Sequence, residues 1–256
     1  MEQMDKNTVN IYWSPQTTSE VSELGEWNML YPEPVTLFRE LQKIREIDTG
    51  QDTYFACPAT NDKFRKTYVF KNELPSSYEF DFTSDDVSKK YFKHTSNTYI
   101  NYDIKRPPSI AKGPLVNLNL YYSFFSEEPI EAVFTPPMFH EPKYTKYGTC
   151  VPGQFDVGQW FRPYPLEMQM WNMKGEFHLE FNEPIFYVEF KTTKKVNLQR
   201  FKMNKTLVSY LEACSTTKRI WGPGLSLQDR YARFKRTRMR ELILKEIKEN
   251  LLDDYK

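Results

Sequence analysis

Three short segments restrict this chain more than any other part of it: LEMQMWN (166–172), EFHLEF (176–181) and PIFYVEF (184–190). Each alternates or runs apolar over six or seven residues, a length that suits a strand better than a helix. MKG and NEP separate them and carry turn residues, Gly175 among them, which predicts two hairpins. In EFHLEF the apolar positions Phe177, Leu179 and Phe181 fall on one face, so the core is expected on that side. His178 and Glu180 leave the opposite face.

The rest of the chain agrees with a strand-built molecule. Residues 8–13, 66–71, 78–82, 98–104, 115–125 and 196–202 read as further strands. Aromatic residues make up 16% of the 256 positions, with 17 Tyr and 19 Phe, and they favour strands. Ten of the 17 prolines lie between 107 and 165, and proline cannot donate to a sheet ladder. That region is expected to be edge, turn and loop, including the long aromatic stretch FTPPMFHEPKYTKYG. FACPATNDKF (55–64) reads as a loop. Many short strands at this spacing predict a mainly β fold with a β-sandwich or jelly-roll-like core.

Helices are expected only at the two ends. Pro34 suits the first position of a short helix over 34–45, with Leu37, Leu41 and Ile44 at helical spacing. Asn204 caps a second over 205–214, and GPG at 222–224 breaks it. Ser226 with Asp229 three residues on resembles a capping box and opens a long helix. Its apolar stripe is Leu227, Tyr231, Phe234, Leu242, Ile243, Ile247 and Leu251, interrupted around Arg238. The organisation expected is therefore a β domain over 1–203 and a helical C-terminal extension over 204–256. That extension either packs along the sheets or projects toward a partner.

Charge is unevenly placed. The net charge is +1, but residues 218–240 hold eight basic side chains and one acid, a net +7 that leaves −6 for the remainder. Arg230, Arg233, Arg236 and Arg240 are the candidate partner-binding residues on this helix, for a protein first and for single-stranded nucleic acid second. The three cysteines lie far apart with no C-x-x-C pair, which reads as reduced thiols in a cytoplasm. No apolar run approaches the roughly 18 residues of a membrane span, so no membrane partner is expected.

Catalytic patterns are sparse. Only nine glycines occur and none forms a phosphate-cradling loop; G-x-S-x-G is absent. His178 and Glu180 share a strand face, the spacing that opens a two-histidine, one-carboxylate iron site, and His140 would have to supply the second histidine. This gives an oxygenase-like alternative; the leading expectation has no catalytic residue and no cofactor. Asp156 and Arg162 flank Trp160 as a charge pair across a turn. Trp160, Phe139, Tyr144, Tyr147 and Trp171 are candidates for an aromatic groove.

Residues 115–202, through VNLNLYYSFF, GQFDVGQWFRP, LEMQMWNMKGEFHLEF and NEPIFYVEF, resemble the domain of unknown function 6065 family of bacteria and large marine phages. YFACPATNDKFRKTYVF resembles it more loosely, and FFSEEP and FTPPMF look more like the phage members. The resemblance implies a phage-type product with a β-sandwich core and transfers no catalytic residue. The function expected is a non-catalytic binding module, or a virion or assembly component, acting in the host cytoplasm or in the virion.

Overall fold

A computed structural model describes residues 7–15, 31–47, 57–72, 75–86, 89–94, 113–215 and 226–252; it does not describe the side chains of 44–47, 119–121, 215, 227, 228 and 230. The strand expected over 98–104 and the break at 222–224 lie outside these residues. The described chain is mainly β with several sheets. In order its elements are β1 (Thr8–Pro15), β2 (Val35–Thr36), α1 (Leu37–Ile47), α2 (Pro58–Lys66), β3 (Thr67–Lys71), β4 (Ser76–Asp81) and β5 (Tyr91–His94). Next come β6 (Leu115–Ser126), β7 (Glu131–Thr135), β8 (Gly148–Cys150), β9 (Gly153–Asp156), β10 (Pro163–Met170), β11 (Lys174–Leu179), β12 (Pro184–Lys191) and β13 (Lys195–Arg200). Helices α3 (Lys205–Ser215), α4 (Leu227–Arg236) and α5 (Met239–Glu249) follow.

The strands form three sheets, β13-β1-β6-β10-β8, β2-β3-β12-β7-β9 and β11-β4-β5. Alternation along each strand explains how the two larger sheets pack. In β1, Val9, Ile11 and Trp13 enter the main core, while Tyr12 leaves the other face. In β6, Leu118, Tyr122 and Phe124 enter it and Phe125 does not. Across the core, Phe70 of β3 lies edge-on to Trp13 at 5.7 Å and to Phe124 at 5.3 Å, and stacks on Phe186 of β12 at 5.0 Å. Burying each such ring contributes roughly 2–3 kcal/mol. The outer faces are covered by helix. Tyr12 and Phe125 join Leu207, Leu211, Phe234, Ile243 and Ile247 of α3–α5. Val69 and Tyr187 join Leu37 and Phe64 of α1 and α2. One pairing is parallel, β1 with β13, from Thr8 opposite Lys195 to Trp13 opposite Arg200. A jelly roll is antiparallel in its sheets, so this pair departs from the expected connectivity.

The three segments at 166–190 do not form hairpins. β10 pairs with β6 and β8, β11 with β4, and β12 with β3 and β7, so each belongs to a different sheet. The turns move the chain between sheets instead. Trp171 N–H donates to the Tyr147 carbonyl at 2.7 Å and the Met173 carbonyl accepts from Phe82 at 2.7 Å. Asn182 takes a φ of 62°, a left-handed conformation that asparagine tolerates. Gly175 lies within β11 rather than in the turn, and an added Cβ would meet the Tyr147 ring at 3.0 Å. Phe181 does not face the core. β11 ends at Leu179, and Phe181 in the turn is 61% exposed while Phe177 and Leu179 are 1% exposed.

Helix boundaries also shift. α1 starts after the two-residue β2, with the Thr36 hydroxyl accepting from Arg39 N–H at 3.4 Å, so Pro34 is not its first residue. Residues 58–66 form α2, not a loop; Pro58 occupies the first turn, where its missing N–H costs nothing, and Phe64 is buried. Within the proline-rich region β8 and β9 are edge strands, as expected, but β7 is internal to its sheet and proline-free. The helix opening at Ser226 divides: Thr237 is extended, so α4 and α5 are separate and pack against the first sheet. No helix among the described residues is long and apolar enough to cross a membrane.

Candidate functional site

The division between α4 and α5 creates an elbow. Ser226 Oγ accepts from Asp229 N–H at 3.2 Å and opens α4; Thr237 N–H and hydroxyl both donate to the Phe234 carbonyl and close it. Asn204 Oδ1 accepts from Leu207 N–H at 2.9 Å to open α3, and its Nδ2 donates to Glu246 at 2.7 Å, which ties α3 to α5. Between these helices and the loop before β10 lies a cavity of about 280 Å³. Trp160, Cys214, Phe234 and Leu242 line its wall, with Arg233 and Arg238 at the lining as well.

Trp160 is held from beneath. Asp156 accepts from the Gly158 and Ile130 N–H groups at 2.8 and 3.2 Å and fixes the loop that carries the indole. It serves the backbone and Gln159 here rather than Arg162, whose guanidinium lies 5.5 Å over the Trp160 ring. Tyr231 meets Trp160 edge-on at 4.0 Å. Trp160 is 3% exposed, and its buried indole N–H has no acceptor among the described residues. A buried donor left unmade costs about 1–3 kcal/mol. Burial also pushes the Cys214 thiol up to about 11, against a backbone hydrogen bond with Phe161. Leu242 on the cavity wall is 46% exposed.

The sequence-derived residues distribute as follows. Arg233 lines the cavity, and Arg236 is exposed on α4. The Arg230 side chain lies outside the described set. Arg240 turns inward and donates to the Glu127 carbonyl. Glu127, just after β6, also accepts from Tyr12 of β1 at 2.8 Å and pairs with Lys248, near the other end of α5, at 2.7 Å, so α5 is tied down near both ends. Arg240 is therefore an anchor of the helical layer, not an outward contact. The aromatic candidates do not line one groove. Tyr144 is buried with its hydroxyl on the Ile185 carbonyl at 2.8 Å; Tyr147 packs on Phe80 and Phe177. Phe139 lies edge-on to Phe64 at 5.2 Å, and Trp171 is 51% exposed in a turn. Only Trp160 belongs to the cavity.

His178, Glu180 and His140 are not brought together. Among the described residues no three His, Cys, Asp or Glu side chains could hold one metal ion. His178 Nδ1 shares a 2.6 Å hydrogen bond with the Ser77 hydroxyl, and Glu180, beyond the end of β11, lies 3.5 Å from Lys143 Nζ. His140 joins a different cluster that sequence spacing does not reveal. Its Nδ1 is 2.6 Å from the Tyr187 hydroxyl, and its Nε2 lies 4.0 Å from Glu40, which pairs with Lys71 at 3.0 Å. Burial pushes the Glu40 carboxyl up, but the Lys71 and Lys43 ammonium groups outweigh it and hold it low. Burial presses the His140 pKa down; Glu40 opposes this and Lys71 adds to it. The side chains of Glu40, Lys71 and His140 are only 10–11% exposed, so the cluster reads as a packed polar joint. No family model and no curated protein matches the chain.

Proposed function

We propose that the protein is a non-catalytic binding module whose partner is a protein segment with one large apolar side chain beside acidic residues. The cavity at the α4–α5 elbow carries this reading. Its 280 Å³ suits a single Leu, Phe or Trp anchor, the kind of central residue that dominates a binding interface. Arg233 and Arg238 favour acids next to that anchor. The packing of the two larger sheets supports a β-sandwich description, in which the parallel β1–β13 pair stands apart from jelly-roll connectivity. The resemblance carried by residues 115–202 supports a phage-type product, and a protein-docking module fits a virion or assembly role in the host cytoplasm.

The test is a displayed library of random 12-residue peptides selected on the purified full chain. Selected peptides are expected to share a large apolar residue flanked by Asp or Glu, and to bind at least tenfold more weakly to Leu242→Asp. Leu242 is half exposed, so that variant retains the fold. Peptides without such a pattern, or binding indifferent to Leu242→Asp, would contradict the reading.

A further inference from the structure

A second concavity lies where β13, at the edge of the first sheet, meets α1 and α2 on the second, and nothing in the helical elbow accounts for it. It is an open cleft of about 1010 Å³ between α1 and α2 on one wall and β13 with the turn before it on the other. Five basic side chains line it, Arg39, Arg65, Lys66, Lys194 and Lys195, against one acid, Asp62. The whole chain has a net charge of only +1, so this is a local concentration of positive charge.

The cations differ in what holds them. Lys66 pairs with Asp62 at 2.8 Å and Lys194 with Glu128 at 2.8 Å. Arg65 donates to Asn61 at 2.7 Å and lies 3.9 Å over the Phe38 ring, which fixes its planar head at the cleft wall. The Arg39 guanidinium and the Lys195 ammonium, both on exposed residues, make no ion pair among the described residues. They stand on opposite walls, one on α1 and one on β13. Two cations with no ion pair among the described residues, on two walls of an open cleft of this volume, suit a ligand with charges spaced along its length, not a single phosphate. The Gln42 side-chain amide lies among the cations and can hydrogen-bond to base edges or sugars, while Asn197 already donates to Asn10 at 2.9 Å.

From this placement we infer that the cleft between α1, α2 and β13 binds the phosphate backbone of a single nucleic-acid strand. An extended strand of a few nucleotides fits a cleft of this volume. Binding through phosphates is sequence-tolerant and weakens with salt as counterions return to the strand. The inference is independent of the helical elbow, which shares no lining residue with the cleft.

Fluorescence anisotropy of a labelled 12-nucleotide oligo-dT with the full chain tests it. Expected are saturable binding at 20 mM salt and a linear fall of log K with log salt. A slope of about −2 corresponds to roughly three phosphates at about 0.7 each. The double variant Arg39→Glu/Lys195→Glu, at exposed positions, should bind at least tenfold more weakly with a shallower slope and an unchanged melting temperature. Absence of binding at 20 mM salt would overturn the inference. So would an unchanged affinity in the double variant, or a loss caused instead by Arg236→Glu, which would move the strand to α4. Equal competition by polyglutamate of matched charge would overturn it as well, because the cleft would then read as a site for acidic protein.

Discussion

Cys57, Cys150 and Cys214 show how differently one residue type behaves in this fold. Cys57 is exposed at the start of α2, where the Thr60 backbone N–H and hydroxyl and the Ala59 N–H hold its thiol below the ordinary value. Burial pushes Cys150 up to about 12 and Cys214 up to about 11. Limited alkylation of native protein followed by peptide mass spectrometry should therefore modify Cys57 first; earlier modification of Cys150 would contradict the placement of β8. The Glu40–Lys71–His140 joint predicts a pH dependence. His140 is held below its ordinary value of 6.5, so the neutral ring stabilises the fold fully above that pH and the contribution is lost as pH falls through the folded value. Glu40, also held low, acts in the same direction below about 4.5. Urea unfolding should show stability falling from pH 7 to 5, and His140→Gln should flatten that fall. Glu40→Gln, which leaves the Lys71 ammonium buried without its carboxylate, should cost about 2–3 kcal/mol at pH 7. None of this was legible in the sequence, because Glu40, Lys71, His140 and Tyr187 come from four separate segments. His178 and Glu180 had a recognisable spacing, yet the strand ends between them and no third ligand joins them.

Among the elements, strands were readable wherever apolar alternation ran through five or more residues, as in β1, β3, β6 and β12. Partners were not readable, because β10, β11 and β12 present hairpin-like spacing while each finds both neighbours far away in the chain, or one in the case of β11. The turn residues signalled a reversal of direction but not a change of sheet. α2 was missed because its composition is polar; Pro58 at its first turn was the available sign. The C-terminal stripe predicted an apolar face and the structure shows where it goes, with Phe234 meeting Phe125 edge-on at 6.2 Å and Ile243 fully buried. Ile243→Ala should cost about 3 kcal/mol in urea unfolding and speed hydrogen exchange through α5. An unchanged midpoint would mean that α5 does not pack on the first sheet.

At the scale of the molecule, helices cover the outer faces of the two larger sheets, and each cover frames its own concavity. α3–α5 with the Trp160 loop frame the apolar elbow, while α1 and α2 with β13 frame the basic cleft. The basic run at 218–240 was visible in the sequence; that Arg240 would turn inward to Glu127 was not, since Glu127 sits 113 residues away. The central claim is that a partner's apolar anchor enters the elbow beside Trp160. Its most direct test follows the indole N–H signals by nuclear magnetic resonance while a selected acidic, apolar-anchored peptide is added, with Trp160 assigned through Trp160→Phe. The account predicts that the Trp160 indole signal shifts as the anchor packs against its ring, with the Trp13 and Trp171 signals unmoved. A Trp160 signal that stays in place while the peptide saturates the protein would contradict it.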